Sequence, residues 1–317
     1  MSWQGEKGAR LWGIVLAGGE GNRIRQFVWE KYRLRSPKQY IAFTGSRSML
    51  QHTLDRVERV NPAERIRIVV DPSHFNEVHC QLSGRPRDSI VFQPINRETA
   101  PGIFLPLIDI FQRDPRARVA IFPSDHFILE EDRFMDYVTM GRRVIENFPN
   151  QVVLLGVRAE GPETDYGWIE PGKPVSRRLG PEVRSVIRFL EKPDAEAALQ
   201  FHRREFLWNT SVIIIQAGTL IEMARKHLGP IWARFDRMLA AIGTDREPTV
   251  IKSEYSRMER ANSSRDVLER SAASVSVIEI KNVHWSDWGN GDRVLTTLKQ
   301  IRRLPMCLQA ASRQATG

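Results

Sequence analysis

Short apolar runs alternate with amphipathic stretches over the first two-thirds of the chain. Residues 11–16, 66–70, 90–92, 119–122 and 152–157 are dominated by Val, Ile and Leu, the pattern of strands buried on both faces. Between them the apolar period lengthens to that of a helix. Ser48 can cap a helix that carries Leu50, Leu54 and Val57 on one face. Residues 100–111 form a second, with Pro101 tolerated in its first turn and Pro106 a source of kinking. Asp132 opens a third, in which Phe134, Tyr137, Val138, Ile145 and Phe148 recur at helical spacing. Strand–helix–strand repetition predicts an α/β fold, with a mostly parallel sheet covered by helices on both faces. Ligands of such sheets lie beyond the carboxyl ends of the strands, so the residues that follow each strand carry the functional signal.

Residues 159–181 break this rhythm, being crowded with Gly, Pro and charge. Residues 183–190, 212–215 and 275–280 read as further strands, 220–239 as helical, and those after 297 as a basic, polar tail. The chain has 317 residues, 41% of them hydrophobic, which supplies a core and excludes global disorder. No apolar run approaches the roughly 18 residues of a membrane span. Lys7 and Arg10 precede the first apolar run, but that run is short and a glycine turn follows it, so it reads as a strand and not as a leader. Cys80 and Cys307 are too few for a disulfide scaffold or a cysteine-rich metal site, which makes a reducing cytoplasm the default. The net charge of +9 is spread along the chain, often beside Asp or Glu. It suits a small anionic partner and a solvated basic surface, and no nucleic-acid footprint stands out.

The first strand runs into Leu16-Ala17-Gly18-Gly19-Glu20-Gly21-Asn22-Arg23. Glycines at this place let backbone amides approach a phosphate chain. The dinucleotide fingerprint lacks its last glycine, since Ile24 stands there, and the P-loop ending is absent. Arg23 and Lys38, the latter in Ser36-Pro37-Lys38-Gln39, add two cations where a triphosphate needs neutralising. After the fourth strand comes Phe122-Pro123-Ser124-Asp125-His126, and much later Trp285-Ser286-Asp287-Trp288-Gly289. Two carboxylates at strand ends could share a hard cation, although a lone Asp more often caps a turn. His126 reads as a packed histidine. Asp165-Tyr166-Gly167-Trp168 has an aromatic flank that could bed a sugar ring but on spacing alone is an ordinary turn. Glu191-Lys192-Pro193 puts a carboxylate and an ammonium at a strand end, suited to sugar hydroxyls and a phosphate or else only a surface ion pair. Trp208-Asn209-Thr210-Ser211 precedes an apolar strand and could be its entry alone.

Taken in order, these clusters resemble one family, the sugar-1-phosphate nucleotidyltransferases, and within it the mannose-1-phosphate guanylyltransferases. The matching stretches are 16–23, 37–39, Arg97-Glu98-Thr99-Ala100-Pro101, 123–126, 165–168, 191–193, 208–211 and 285–289, in a span from about residue 11 to 292. The resemblance implies a Rossmann-like, doubly wound, mostly parallel or mixed sheet of the nucleotide-diphospho-sugar transferase type. It implies Mg²⁺-dependent transfer of GMP from GTP to mannose 1-phosphate, releasing pyrophosphate. By the same resemblance, Leu16, Ala17, Gly18, Gly19, Gly21, Arg23, Lys38, Glu98 and Ser124 surround the nucleotide, and Asp125 and Asp287 hold the metal. Gly167, Glu191, Lys192 and Asn209 take the sugar phosphate, and Arg23, Lys38, Asp125 and Lys192 form the catalytic set.

The departures cluster at the base and sugar motifs. Glu98 replaces an Asn, where a carboxylate could accept from the adjacent N–H groups of guanine; Ser211 replaces a Gly, Asp165 another Gly, and Glu254 an Asp. Asn22 stands for a Thr, and the spacer before Pro37 carries Trp29, Lys31, Arg33 and Arg35. A different nucleotide and sugar pair therefore stays open, Gln93 being suited to a pyrimidine edge, as does a non-catalytic nucleotide-sugar sensor. The expected organisation is one catalytic domain over 1–300 and a basic tail over 301–317, with a short helical appendage and none of the β-helix or isomerase extensions of many relatives. No membrane or nucleic-acid partner is expected, and a homo-oligomer remains open.

Overall fold

The computed structural model describes residues 11–176 and 178–302. Along the chain run β1 (Leu11–Ala17), α1 (Arg25–Tyr32), α2 (Met49–Glu58), β2 (Ile66–Val70), α3 (Phe75–Leu82), β3 (Ile90–Phe92), α4 (Thr99–Arg113), β4 (Arg118–Pro123) and β5 (Phe127–Ile128). Then follow α5 (Glu131–Asn147), β6 (Val152–Arg158), β7 (Gly167–Pro174), β8 (Val183–Glu191), α6 (Ala195–Arg203), β9 (Leu207–Gln216) and α7 (Ala217–His227). The last elements are α8 (Gly229–Leu239), α9 (Glu247–Ser256), β10 (Val275–Ile280), β11 (Trp285–Ser286) and α10 (Gly291–Arg302).

Nine strands form one sheet in the order β3-β2-β1-β4-β9-β6-β10-β8-β7. The pairs β3–β2, β2–β1, β1–β4 and β6–β10 are parallel, whereas β9 runs antiparallel to both β4 and β6. The sheet is thus mixed, and its parallel half is the part that the alternation of strand and helix predicts. Side chains alternate between the faces. Trp12 and Ile14 of β1 join α4, α7 and α8 in one core, while Leu11, Val15 and Ala17 join α2, α3, α5 and α6 in the other. A third cluster packs Ile24 and Val28 of the α1 region against Trp288 and Val294, so the segment after β1 and the last described helix share one apolar cluster.

Local signals explain the elements that were expected. Ser48 caps α2 in a reciprocal box, accepting from the Gln51 amide at 3.2 Å while its own amide donates to Gln51 Oε1 at 3.0 Å. Helix α4 runs through Pro106 to Arg113. Helix α5 starts at Glu131, which leaves Asp132 in the first turn and not at the cap.

Three readings are corrected. The break at 159–181 contains β7, a strand made by long-range pairing: Gly167 lies opposite Glu191 of β8 and Trp168 opposite Trp208 of β9. Its Gly and Pro content hides the alternation. The stretch 220–239 is two helices, divided at Leu228 with Pro230 in the first turn of α8. The segment 208–211 lies inside β9 and does not merely precede a strand. The tail reading covers 298–302, which belong to α10, and 303–317, which lie outside the described residues. Among the described residues no helix is long and apolar enough to cross a membrane.

Candidate active site

The glycine turn after β1 is held by its carbonyls. Gln39 Nε2 donates to the Ala17 and Gly19 oxygens, both at 2.8 Å, Asn96 Nδ2 donates to Gly18 O at 3.2 Å, and Ser124 Oγ donates to Leu16 O at 2.7 Å. With the carbonyls drawn inward, the Gly19 and Glu20 amides donate to no group among the described residues. Gly21 takes a left-handed φ of 63° to start the turn into α1, and a Cβ there would sit 3.0 Å from the Lys38 amide. A Cβ on Gly18 would lie 2.3 Å from Gln93 Nε2, so a side chain there would have to displace that buried amide. Gly19 faces open space. An anion could approach there against unpaired N–H groups.

Lys38 is buried beside this turn, with only 5% of its side chain exposed. Its ammonium meets Asp125 Oδ2 at 2.9 Å and donates to the carbonyls of Asp287 and Trp288. The Pro-Lys-Gln segment thereby joins the end of β4 to the loop after β11. Arg23 reaches Asp165 at 3.2 Å and Asp287 Oδ2 at 3.9 Å. Both cations expected at the triphosphate therefore rest on carboxylates here. Asp287 is nearly enclosed: its Oδ1 accepts from Tyr166 OH at 3.0 Å, the Gly289 amide at 2.8 Å and Arg293 Nη1 at 3.0 Å.

Burial by itself would raise the Asp125 carboxyl, but the Lys38 ammonium, with His126 and Arg23 behind it, holds it below the ordinary aspartate range. Burial likewise opposes ionisation of Asp287, and His126, Lys38 and Arg293 outweigh it. Burial pushes Tyr166 up, so its phenol stays a donor to Asp287. His126, lowered by burial, packs edge-on against Trp285 with centroids 5.3 Å apart, as a packed histidine should. Two ionised carboxylates are hard oxygen donors of the kind Mg²⁺ takes, usually one or two from protein with phosphate oxygens and water completing the shell. Among the described residues, no group of three or more His, Cys, Asp or Glu is placed to hold a metal ion.

On the far side of Tyr166, β7, β8 and β9 build a second cradle. A Cβ on Gly167 would lie 2.9 Å from Glu191 Oε2 and 3.4 Å from Asn209 Cβ, so the three expected sugar residues converge. Burial raises Glu191, with Lys192 opposing it. Lys192 adopts a left-handed φ of 48°, and its amide donates to Tyr166 O at 3.2 Å. Ser211 is exposed with φ 61°, which accounts for a Gly at that position in the family pattern; its amide donates to Asn209 Oδ1 at 3.1 Å.

The segment 97–101 is clamped by 255–263. Arg97 Nη2 donates to Ser256 O at 2.7 Å, Tyr255 OH to Pro101 O at 2.7 Å, and the Ser263 amide to Thr99 Oγ1 at 2.9 Å. Glu98 sits within this clamp at φ 69° and ψ −168°, a strained backbone for a residue with a side chain, and faces Arg260 at 3.9 Å. Glu254 bridges Arg234 at 3.1 Å and Arg237 at 2.8 Å, so it ties α9 to α8.

Of the residues expected at the nucleotide and metal, the 16–21 turn, Arg23, Lys38, Ser124, Asp125 and Asp287 come together beyond β1 and β4, whereas Glu98 lies in the clamp beside Arg260; the residues expected at the sugar gather next to Tyr166. Sequence reasoning missed Gln39 and Asn96 as anchors of the turn, although Gln39 lies in a recognised motif. It also missed Glu163 and Arg293, for which no local pattern gives a signal.

A family model described as nucleotidyl transferase matches residues 12–303. The mannose-1-phosphate guanylyltransferase of Escherichia coli K12 is 27% identical over 288 residues, covering 89% of this chain and 58% of its own length. The alginate biosynthesis protein AlgA of Pseudomonas fluorescens is 30% identical over 218 residues, 68% of this chain and 43% of its own. The chain thus spans about half the length of these curated relatives. Among solved structures, a Thermus thermophilus protein named mannose-1-phosphate geranyltransferase superposes with a TM-score of 0.76 at 25% identity, covering 90% of this chain and 79% of that one.

Proposed function

The chain belongs to the nucleotidyl transferase family, and from that premise we propose that it transfers GMP from GTP to mannose 1-phosphate, yielding GDP-mannose and pyrophosphate. The observation that carries this reading is a chain of contacts: Lys38 packs on the glycine turn and joins Asp125 to the Asp287 loop, and Tyr166 joins Asp287 to the strand that carries the Gly167–Glu191–Asn209 cradle. The names of the relatives support mannose and guanine.

A phosphate oxygen of the sugar phosphate attacks the α-phosphorus of GTP, the bond from that phosphorus to the bridging oxygen breaks, and pyrophosphate leaves with the electron pair. The nucleophile is already ionised near neutral pH, so no general base is required. The protein's task is then to hold two polyanions in line and to neutralise charge. The Gly18–Gly21 turn would receive the triphosphate on its amides. Arg23 and Lys38, freed from their carboxylates by the incoming anion, would turn toward it. Asp125 and Asp287 would hold Mg²⁺, which when bound supplies charge neutralisation on the phosphates. Ser124 fixes the turn, Glu98 would accept from guanine, Glu191 and Asn209 would bond the sugar hydroxyls against Gly167, and Lys192 would pair with the sugar phosphate.

Pyrophosphate release by the purified chain with Mg²⁺, across the four NTPs paired with mannose, glucose and N-acetylglucosamine 1-phosphates, tests the proposal. Release with GTP and mannose 1-phosphate is expected. Release confined to another pair would keep the chemistry and overturn the specificity. Silence from folded protein across the panel would favour the nucleotide-sugar sensor.

A further inference from the structure

Asp287 offers a cation one oxygen, and the reason lies in α10. We propose that Arg293 is a positioning residue for Asp287, holding Oδ1 inside the protein so that Oδ2 alone faces the nucleotide and its metal. The proposal rests on the reading of Asp287 as a cation ligand.

One end of the Arg293 guanidinium donates to Asp287 Oδ1 at 3.0 Å and the other pairs with Glu163 Oε2, while its Cζ lies 4.4 Å from the centroid of the Tyr166 ring. Tyr166 in turn donates to the same Oδ1 at 3.0 Å. These groups are enclosed, with 12% of the Arg293 and 10% of the Asp287 side chain exposed. Rotating the carboxylate away would break the bonds that Arg293 Nη1, the Tyr166 phenol and the Gly289 amide make to it and leave the guanidinium held at its Glu163 end alone, which is costly in a buried group. Oδ1 thus has three donors, whereas the nearest cation to Oδ2 is Arg23 at 3.9 Å. Val294, the next residue, is buried with Trp288 in the third core cluster, so the helix that carries the fork is fastened to the loop that it orients. A planar fork tied at both ends does what a lysine's single point charge cannot.

The test is Mn²⁺ affinity of the protein–GTP complex, measured by electron paramagnetic resonance without sugar phosphate, for wild type, Asp287→Asn, Arg293→Met, Arg293→Lys and Tyr166→Phe. Partners behind a metal ligand typically govern about 10- to 100-fold in metal affinity, and a loss of that size is expected for Arg293→Met. Arg293→Lys should recover part of it, and Tyr166→Phe should lose about 2- to 10-fold. GTP affinity measured in chelator should stay at the wild-type value in the Arg293 variants, since a merely structural defect would lower it as well. Wild-type Mn²⁺ affinity in Arg293→Met, with loss in Asp287→Asn, would overturn the positioning role and leave the ligand reading intact. Wild-type affinity in Asp287→Asn would overturn the ligand reading and the proposal with it. Should Arg293→Met fail to fold, unchanged affinity in both Arg293→Lys and Tyr166→Phe refutes the role.

Discussion

Gly167→Ala separates the sugar cradle from the nucleotide site with a single methyl group. Gly167 has an ordinary φ, so alanine adds no backbone strain; the cost lies in space alone. The new Cβ would stand 2.9 Å from Glu191 Oε2, 3.2 Å from Phe189 Cζ and 3.4 Å from Asn209 Cβ. Of these, the carboxylate ends a flexible side chain and is the part that can give way, while Phe189 is packed in the core. On the proposed function a displaced Glu191 would lose a bond to a sugar hydroxyl, and a hydrogen bond to a charged group contributes about 1.5–3 kcal/mol. At about 1.4 kcal/mol per decade, the KM for mannose 1-phosphate should rise about 10- to 150-fold. Initial rates of pyrophosphate release, with each substrate varied at saturation of the other, should show this rise with the KM for GTP near its wild-type value. If the methyl cannot be accommodated by the carboxylate, overpacking costs about 1–3 kcal/mol of fold stability instead. A lowered denaturation midpoint with both KM values unchanged would remove Gly167 and Glu191 from the sugar site.

Glu131 is buried between Arg56 at 2.8 Å and Arg59 at 2.7 Å. Glu131→Ala leaves the Arg56 charge buried without its carboxylate and should cost about 3–5 kcal/mol in urea unfolding; a loss below about 1 kcal/mol would show that the pair relaxes into solvent. Glu254 is held below its ordinary value of 4.5 by its hydrogen bond from Arg237, with Arg234 adding to it. A lowered folded pKa contributes stability above the unfolded value and loses it as pH falls through the folded one. Glu254→Gln should therefore be less stable than wild type at neutral pH, with the two midpoints converging below pH 4.5; a constant gap at all pH values would contradict this. Glu98→Gln should lower kcat/KM for GTP about tenfold or more and leave ATP usage unchanged. An equal fall for both nucleotides would place Glu98 away from the base.

Much of the strand framework could be read from the chain because its signal is local. Seven apolar runs, at 11–16, 66–70, 90–92, 119–122, 152–157, 183–190 and 275–280, meet the observed strands to within a residue or so, since Val and Ile in short blocks suit a covered sheet; 90–92 is the exception to burial, being the edge strand β3 with Phe92 exposed. The glycine turn was equally legible: Gly21 takes a left-handed φ against the Lys38 backbone, and Gly18 leaves room for the buried Gln93 amide. The order of motifs then pointed to the family before any contact was known. What failed was of another kind. Strand β7 has no alternation to read and exists because β8 and β9 offer it partners. The positive φ of Glu98 has no counterpart in its identity, since the clamp from 255–263 imposes it.

The amino-acid sequence by itself determined which residue types end the strands, and so the phosphate turn, the carboxylates and the cations available to the chemistry. Only the tertiary structure decided which of them meet. Lys38 lies 249 positions from the Asp287 carbonyl that it touches, and Arg293 lies 130 positions from Glu163. Hydrophobic period and turn chemistry act over a few residues. An ion pair across such spans depends on the order of strands in the sheet and on how a terminal helix packs, which are properties of the whole core.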